Sequence, residues 1–201
     1  ALGYIYRSEK KLEKAVGAYE QAAELAPGNA RLWNELGLTQ QALGDHAAAG
    51  ASFQKSLNLN PGYRIGMVNL ANAYQQQGQH DKAEKLYAKA DKLAPHLSII
   101  ANNRARNALA LKKHSLARKY FKAASKRDPR DNYSRFNLAL QAYDRRAFRD
   151  ARKHIKDVLR ISPRFPAAYW LRARIALDEK DLDAAHRDLK AFLKIEPSKI
   201  E

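Results

Sequence analysis

Cysteine is missing from this chain of 201 residues. Its absence excludes a disulfide framework, a zinc site with thiolate ligands and a cysteine nucleophile. No apolar run approaches the roughly 20 residues that a helix needs to cross a bilayer, so we expect no transmembrane segment. The phosphate-binding loop, the zinc-protease helix and the nucleophile elbow are absent as well. The sequence therefore indicates no cofactor.

The motifs that would suggest catalysis or metal binding are weak. Residues 186–190 spell the start of a kinase catalytic loop, but Leu193 stands where that loop requires asparagine. His46, His80 and His114 are evenly spaced along the sequence. At that spacing each histidine would fall in a different helical repeat, and successive repeats lie roughly a helix diameter apart, ~10 Å. The three side chains would then be too far from one another to bind one metal ion, whose bonds to its ligands are ~2 Å long. We predict that the chain is not an enzyme and holds no metal.

Acidic residues are scarce in the second half of the chain. Residues 1–100 carry 11 Lys and Arg against 9 Asp and Glu, whereas residues 101–201 carry 26 against 12. The stretch 104–164 alone has 19 basic and 5 acidic residues, and it accounts for the excess in that half. Such a basic block favours an anionic partner. The alternative is a solvated face that only keeps the protein soluble.

A constant period of about 34 residues runs through the chain, a length typical of a repeat made of two short helices. The repeated prolines are Pro27, Pro61, Pro95, Pro129, Pro163 and Pro197. An alanine stands twelve residues before each proline: Ala15, Ala49, Ala83, Ala117, Ala151 and Ala185. A bulky apolar residue stands eight residues before each: Tyr19, Phe53, Tyr87, Phe121, Ile155 and Leu189. A fixed proline that ends a helix in every copy indicates an array of helical repeats.

The residues between these markers carry a family pattern. Trp33 precedes Leu36-Gly37 in the second copy, and Leu70-Ala71 precedes Tyr74 in the third. With the alanine, aromatic and proline positions, they match the pattern W-x2-L-G-x2-Y, A-x3-F, P. The chain resembles a tetratricopeptide repeat (TPR) protein. That resemblance implies an all-α fold, a right-handed α-solenoid of about six helix-turn-helix repeats, in a single array over residues 1–201. The repeats would be approximately 1–29 (truncated at its start), 30–63, 64–97, 98–131, 132–165 and 166–199.

Each repeat has a predicted turn between its two helices. In the second copy the first helix stops at Gly44, and Asp45 caps a second helix from about His46 to Leu59. The third copy uses Gly78 and Asp81 for the same two purposes. The later copies have basic residues at the glycine position, so we expect their turns to be strained or closed differently. These residues are Lys112, Arg146 and Lys180.

The resemblance also implies that the first helix of each repeat lines a concave groove. Asn69, Asn103 and Asn137 recur there at the spacing of the prolines, with Asn72 and Asn102 close by on the same face. Because an Asn amide both donates and accepts hydrogen bonds, such a ladder can hold the backbone of an extended peptide. The alternative is that asparagine is a tolerated polar filler at these positions.

Aromatic residues enter the predicted groove in the later repeats. Trp170 and Phe136 share one position, and Arg106 and Arg174 share another. Large aromatics beside arginines are typical of binding hot spots. Trp170 could instead be covered by a further repeat. The remaining aromatic candidates flank Phe136 and are Tyr133 and Tyr143.

Two functions compete at this stage. The first is a non-catalytic scaffold that binds a peptide or acidic segment of another protein in the groove. The second is binding of a polyanion, either nucleic acid or acidic polysaccharide, through a basic outer face. That face consists of Arg118, Lys119, Lys122, Lys126, Arg127, Arg149, Arg152, Lys153, Lys156 and Arg160. Self-association through open ends of the solenoid is a third possibility.

Overall fold

The computed structural model describes residues 2–196, and within that range the chain forms twelve α-helices and no strand. Pro197, the sixth periodic proline, lies outside the described residues. The helices are α1 (Leu2–Ser8), α2 (Leu12–Leu25), α3 (Ala30–Ala42), α4 (His46–Leu59), α5 (Arg64–Gln76), α6 (His80–Leu93), α7 (Ser98–Ala110), α8 (His114–Arg127), α9 (Asn132–Asp144), α10 (Phe148–Ile161), α11 (Pro166–Asp178) and α12 (Leu182–Ile195).

The helices follow the sequence period. From α3 onward, the odd-numbered helices begin at a constant interval, that of the repeated prolines, and each packs against the even-numbered helix that follows it. The predicted all-α fold of helix-turn-helix repeats is confirmed. Contacts between Cα atoms divide the chain into two compact units, residues 1–95 (unit 1) and 96–201 (unit 2). The single array over residues 1–201 stays a prediction.

The alanine position marks the close approach of two helices within a repeat. All six alanines, from Ala15 to Ala185, are buried. In the second repeat, a Cβ atom added at Gly37 would lie 2.6 Å from the ring of Phe53 and 3.1 Å from the carbonyl oxygen of Ala49. No larger side chain fits there without displacement. The bulky apolar position is buried in the first five repeats, whereas Leu189 in the sixth is 37% exposed.

The turns inside the repeats close in one way throughout. Gly44 has φ +87° and its N–H donates to the carbonyl of Gln41, while the N–H of Asp45 donates to the carbonyl of Gln40. This is a Schellman motif. The basic residues of the later repeats adopt the same left-handed backbone with the same pair of bonds, so these turns are strained rather than closed differently. Their φ values are +56° at Lys112, +56° at Arg146 and +63° at Lys180, and Lys10 in the first repeat has +59°.

The predicted helix caps are correct in one repeat and wrong in the next. The Asp45 side chain accepts a hydrogen bond from the backbone N–H of Ala48 at 2.9 Å, as an N-cap does. Asp81, in contrast, lies in the first turn of α6, and Gln79 occupies the N-cap position without a side-chain cap bond. The prediction failed because Asp81 stands two residues later in its repeat than Asp45 does.

Candidate partner-binding surface

The first helices of the repeats in unit 2 present a surface that carries most of the predicted groove residues. We call it the first-helix face, and it consists of the exposed side of α7, α9 and α11. Its exposed members are Ile99, Arg106, Tyr133, Trp170 and Arg174.

Asn102 is committed to holding α7 against the start of α9. Its Oδ1 accepts from the hydroxyl of Ser134 at 2.5 Å, and its Nδ2 donates to the carboxylate of Asp131 at 2.7 Å. Asp131 also caps α9 by accepting from the backbone N–H of Ser134 at 3.0 Å. Both ends of the Asn102 amide are thus engaged within the protein, and its contact with a partner stays a prediction.

Asn103 lies next to it in sequence but in a different environment. It borders a cleft of about 330 Å³ between α7 and α9, with Ile99 and Tyr133 as exposed apolar walls. Ile99 is 57% exposed and Tyr133 46%, whereas Asn103 is only 6% exposed. Among residues 2–196, no hydrogen bond engages the Asn103 side chain. Arg106 adds a positive charge to the lining of the cleft, and Asp128 and Asp131 add carboxylates to it.

The other predicted asparagines have partners within the protein. Asn69 Nδ2 donates to Oδ1 of the buried Asn34 at 2.9 Å and so joins α5 to α3. Asn137 Nδ2 donates to the backbone carbonyl of Tyr133, one turn earlier in its own helix, at 2.8 Å. The remaining one, Asn72, accepts from the hydroxyl of Tyr87 at 2.5 Å. An Asn amide with one bond retains further donor and acceptor capacity, so the ladder stays a prediction.

An aromatic and arginine cluster joins α9 to α11. The guanidinium of Arg174 lies 4.9 Å from the ring centroid of Trp170 and 5.4 Å from that of Tyr143. A hydrogen bond to the carboxylate of Asp178 raises the pKa of Tyr143 above its ordinary value. Trp170 is 37% exposed. Contact with a guanidinium already restricts the ring, so the ring loses little conformational entropy on binding. This favours Trp170 as a residue that anchors a partner.

Phe136 packs between this surface and the hydrophobic core of unit 2. It is half-buried, and its ring centroid lies 5.3 Å from that of Phe165 at the margin of the core. Tyr143 packs on Phe148 in a similar way, with centroids 5.9 Å apart. Phe136 therefore offers a partner less free surface than Trp170, although the two share one position in the repeat.

The basic face lies on α8 and α10, the second helices of the fourth and fifth repeats, and three of its ten residues are half-buried. Arg152 makes two hydrogen bonds to the carboxylate of Glu179, which raise the pKa of Arg152 and lower that of Glu179. Arg127 donates to the carbonyl of Leu97 at 3.2 Å. Arg118 is the third. Exposed members of the face are Lys119, Lys122, Lys126, Arg149, Lys153, Lys156 and Arg160.

Three family models match this sequence. A TPR repeat model matches residues 3–44, one tetratricopeptide repeat model matches 28–90, and another matches 102–163 and 136–198. The chain belongs to the tetratricopeptide repeat family. No curated protein sequence matches this TPR chain.

Solved structures share the fold of this TPR protein at low sequence identity. PilF of Pseudomonas aeruginosa superposes with a TM-score of 0.83 and 20% identity over 99% of this chain and 90% of its own. A tetratricopeptide repeat protein of Parabacteroides merdae has a TM-score of 0.79 and 18% identity over 96% and 76%. YrrB, a TPR protein with an unusual peptide-binding site, has 0.68 and 16% over 91% and 94%.

Two residues of the first-helix face were missed by the sequence analysis. Ile99 stands one repeat before Tyr133 at the same position, so the period of the TPR array could have identified it. The second is Asp178, which raises the pKa of Tyr143 and has no such signal, because the two residues meet only when α9 packs against α11. Residues 2–196 contain no group of three or more metal-ligating side chains, and none of their helices is long and apolar enough to span a membrane.

Proposed function

We propose that this TPR protein is an interaction scaffold that binds an extended, acidic segment of a partner polypeptide on the first-helix face of unit 2. The observation that carries the proposal is the amide of Asn103, which borders the cleft between Ile99 and Tyr133 and has no hydrogen bond within residues 2–196. An amide with an open donor and acceptor can pair with the backbone of an extended peptide. The apolar walls on either side would receive a side chain of that peptide.

Charge supports an acidic segment. Unit 2 carries 26 Lys and Arg against 12 Asp and Glu, so it attracts anionic chains from a distance. Arg106 and Arg174 place guanidinium groups on the first-helix face itself, where they can pair with carboxylates. Trp170, stacked on Arg174, supplies a large exposed ring of the kind that dominates binding energies.

The structural neighbours support the same class of function. YrrB, which shares this fold, is a TPR protein with an unusual peptide-binding site. At 16% identity that likeness carries only the fold. The assignment to particular residues of this chain therefore depends on the cleft and the Trp170 cluster.

Peptides selected from a displayed random library on the immobilised protein would test the proposal. We expect the selected sequences to be rich in Asp and Glu and to carry an apolar residue. Calorimetry with one such peptide should show at least about tenfold weaker binding to the double variant Asn103→Ala, Asn137→Ala. Trp170→Ala should have an effect of similar size.

A matched control is Gln21→Ala, which removes an exposed amide from α2, a second helix in unit 1. It should bind the same peptide as tightly as the parent. Unchanged affinity in the Asn103→Ala, Asn137→Ala variant, with circular dichroism equal to that of the parent, would contradict binding on the first-helix face.

The seven exposed cations on α8 and α10 support a second candidate function, the binding of a polyanion. Burial lowers the pKa of His154 on α10, so that side chain contributes less charge at neutral pH than an exposed histidine does. Contact through lysines and arginines predicts an affinity for single-stranded RNA or heparin that falls steeply with salt. Replacing Lys119, Lys122 and Lys156 by Gln should remove this binding and leave the selected peptide unaffected. Salt-insensitive or undetectable binding to both polymers would exclude the second function.

A further inference from the structure

One repeat position in this protein holds an aromatic side chain that is bonded to the preceding turn. Trp33 donates its indole N–H to the carbonyl of Pro27 at 3.1 Å. Tyr169, four repeats later, donates its hydroxyl to the carbonyl of Pro163 at 2.9 Å. In both copies a ring with a polar donor rests against the proline turn between two repeats.

The third repeat has methionine at this position. Met67 is only 3% exposed and has no donor to offer to the turn. A cavity of about 450 Å³ lies beside it in unit 1, a volume within the range of small-molecule sites. The lining residues come from α4, α5, α6 and the proline turn: Gln54, Leu57, Asn58, Pro61, Met67, Leu86 and Lys89.

The lining of the cavity includes the repeat position that Trp33 occupies one repeat earlier. The ammonium group of Lys55 lies 3.6 Å from the centroid of the Trp33 ring. Lys89 and Pro61, which line the cavity, stand one repeat after Lys55 and Pro27 at the same two positions. Among residues 2–196, no group donates to the carbonyl of Pro61. The third repeat thus has the equivalents of the cation and the carbonyl that contact Trp33, namely Lys89 and Pro61, but it has no aromatic ring at the position of Trp33.

We propose that this cavity binds the side chain of a tryptophan or tyrosine from a partner polypeptide. The charges are complementary, because the Lys89 ammonium faces the electron-rich side of the ring and the Pro61 carbonyl accepts its N–H or O–H. Leu57 and Leu86 cover the apolar edge, and the Met67 thioether adds a favourable sulfur–aromatic contact. The site lies in unit 1 and shares no residue with the first-helix face, so either proposal can fail without the other.

The protein contains its own reporter for this test. Met67 is the only methionine in the chain, so labelling methionine methyl groups with ¹³C gives a single resonance at the cavity. Titration with N-acetyl-tryptophanamide should shift that resonance saturably, because the ring current acts on a methyl group in contact with the ring. The N1-methylated form of the probe lacks the donor and should bind about tenfold more weakly. N-acetyl-leucinamide should cause no saturable shift.

Substitutions that fill the cavity complete the test. Met67→Trp should place the protein's own indole where Trp33 lies in its repeat. Because this variant lacks the methionine methyl group, its binding is followed by saturation-transfer NMR on N-acetyl-tryptophanamide, and the transfer should be abolished. If that variant loses its helicity, Leu86→Trp closes the cavity from the opposite wall. A Met67 methyl resonance that does not move in the parent would overturn the proposal. So would a folded, cavity-filled variant that still binds the probe as the parent does.

Discussion

Units 1 and 2 share one helical repeat but differ in the chemistry of their surfaces. Unit 1 carries 11 basic and 9 acidic residues, and unit 2 carries 26 and 12. The buried alanine position is nevertheless the same in both, from Ala15 to Ala185. The comparison teaches that packing fixes a few positions in each repeat and leaves the exposed positions free to diverge.

Both units join neighbouring repeats by neutral and by charged contacts. In unit 1, Asn69 bonds to Asn34, and Arg7 on α1 forms an ion pair with Glu35 on α3 at 2.8 Å. In unit 2, Arg152 on α10 makes two hydrogen bonds to Glu179, which follows α11. Because unit 2 carries the larger excess of basic residues, we expect salt to act on it more than on unit 1.

The largest effect should come from the positions that the units share. Ala83→Leu in unit 1 and Ala117→Leu in unit 2 should each lower the free energy of unfolding by about 1–3 kcal/mol, because both sites are fully enclosed. Ala51→Leu, at an exposed position of α4, is the control and should change little. Thermal and urea unfolding measure the three variants. A variant at Ala83 that unfolds like the parent would mean that the alanine does not mark a close approach of helices.

A smaller effect, confined to unit 2, should follow from removing a partly buried charge. Asp188 is 7% exposed and accepts two hydrogen bonds from Arg172, at 2.6 and 2.7 Å. Asp188→Asn should cost about 2 kcal/mol of unfolding free energy, since bonds to charged groups contribute more than neutral ones. Asp183→Asn, at an exposed position of the same helix, should cost far less. Equal losses in the two variants would contradict a special role for the charged contacts.

The turn position should give a smaller effect, since glycine occupies it in the second and third repeats, both in unit 1, and a basic residue occupies it in the other four. Gly44→Lys should destabilise the protein by about 1 kcal/mol, because a side chain is strained at positive φ. Lys112→Gly relieves the same strain, but it also gives the unfolded chain more freedom. We expect a net gain of less than about 1 kcal/mol, which chemical denaturation can resolve. A loss of stability in Lys112→Gly would show that the lysine side chain makes a contact that outweighs the strain.

The smallest expected effect is the change with pH of the stability that the ion pair of Arg152 and Glu179 contributes. Pairing lowers the pKa of Glu179 below its ordinary value of 4.5. The pair therefore contributes stability above that ordinary value and loses it as the pH falls through the lowered one. Both side chains are more than a third exposed, so the contribution is small. Glu179→Gln should remove this step from a plot of stability against pH, and an unchanged plot would contradict it.

The repeat and its turns could be read from residues that act locally. Gly44 and Asp45 end one helix and begin the next through bonds to residues close by in the sequence, so the sequence was sufficient to predict them. Asp81 was misassigned because the N-cap position belongs to Gln79, which makes no side-chain cap bond. The candidate site was harder to predict, since Asn102 and Asn103 are the same residue type at adjacent positions.

The sequence by itself determined the period, the helix pairs, the buried alanines and the charge of unit 2. These properties follow from residue type and spacing. Residues that are one repeat apart occupy the same place on the equivalent helix of each repeat, so they meet the same kind of environment. Only the tertiary structure decided that Asn102 is bonded to Asp131 and Ser134 while no hydrogen bond within residues 2–196 engages the Asn103 side chain, and that a cavity lies beside Met67. Both outcomes depend on side chains that come together from different repeats, and spacing along the chain does not specify which atoms meet.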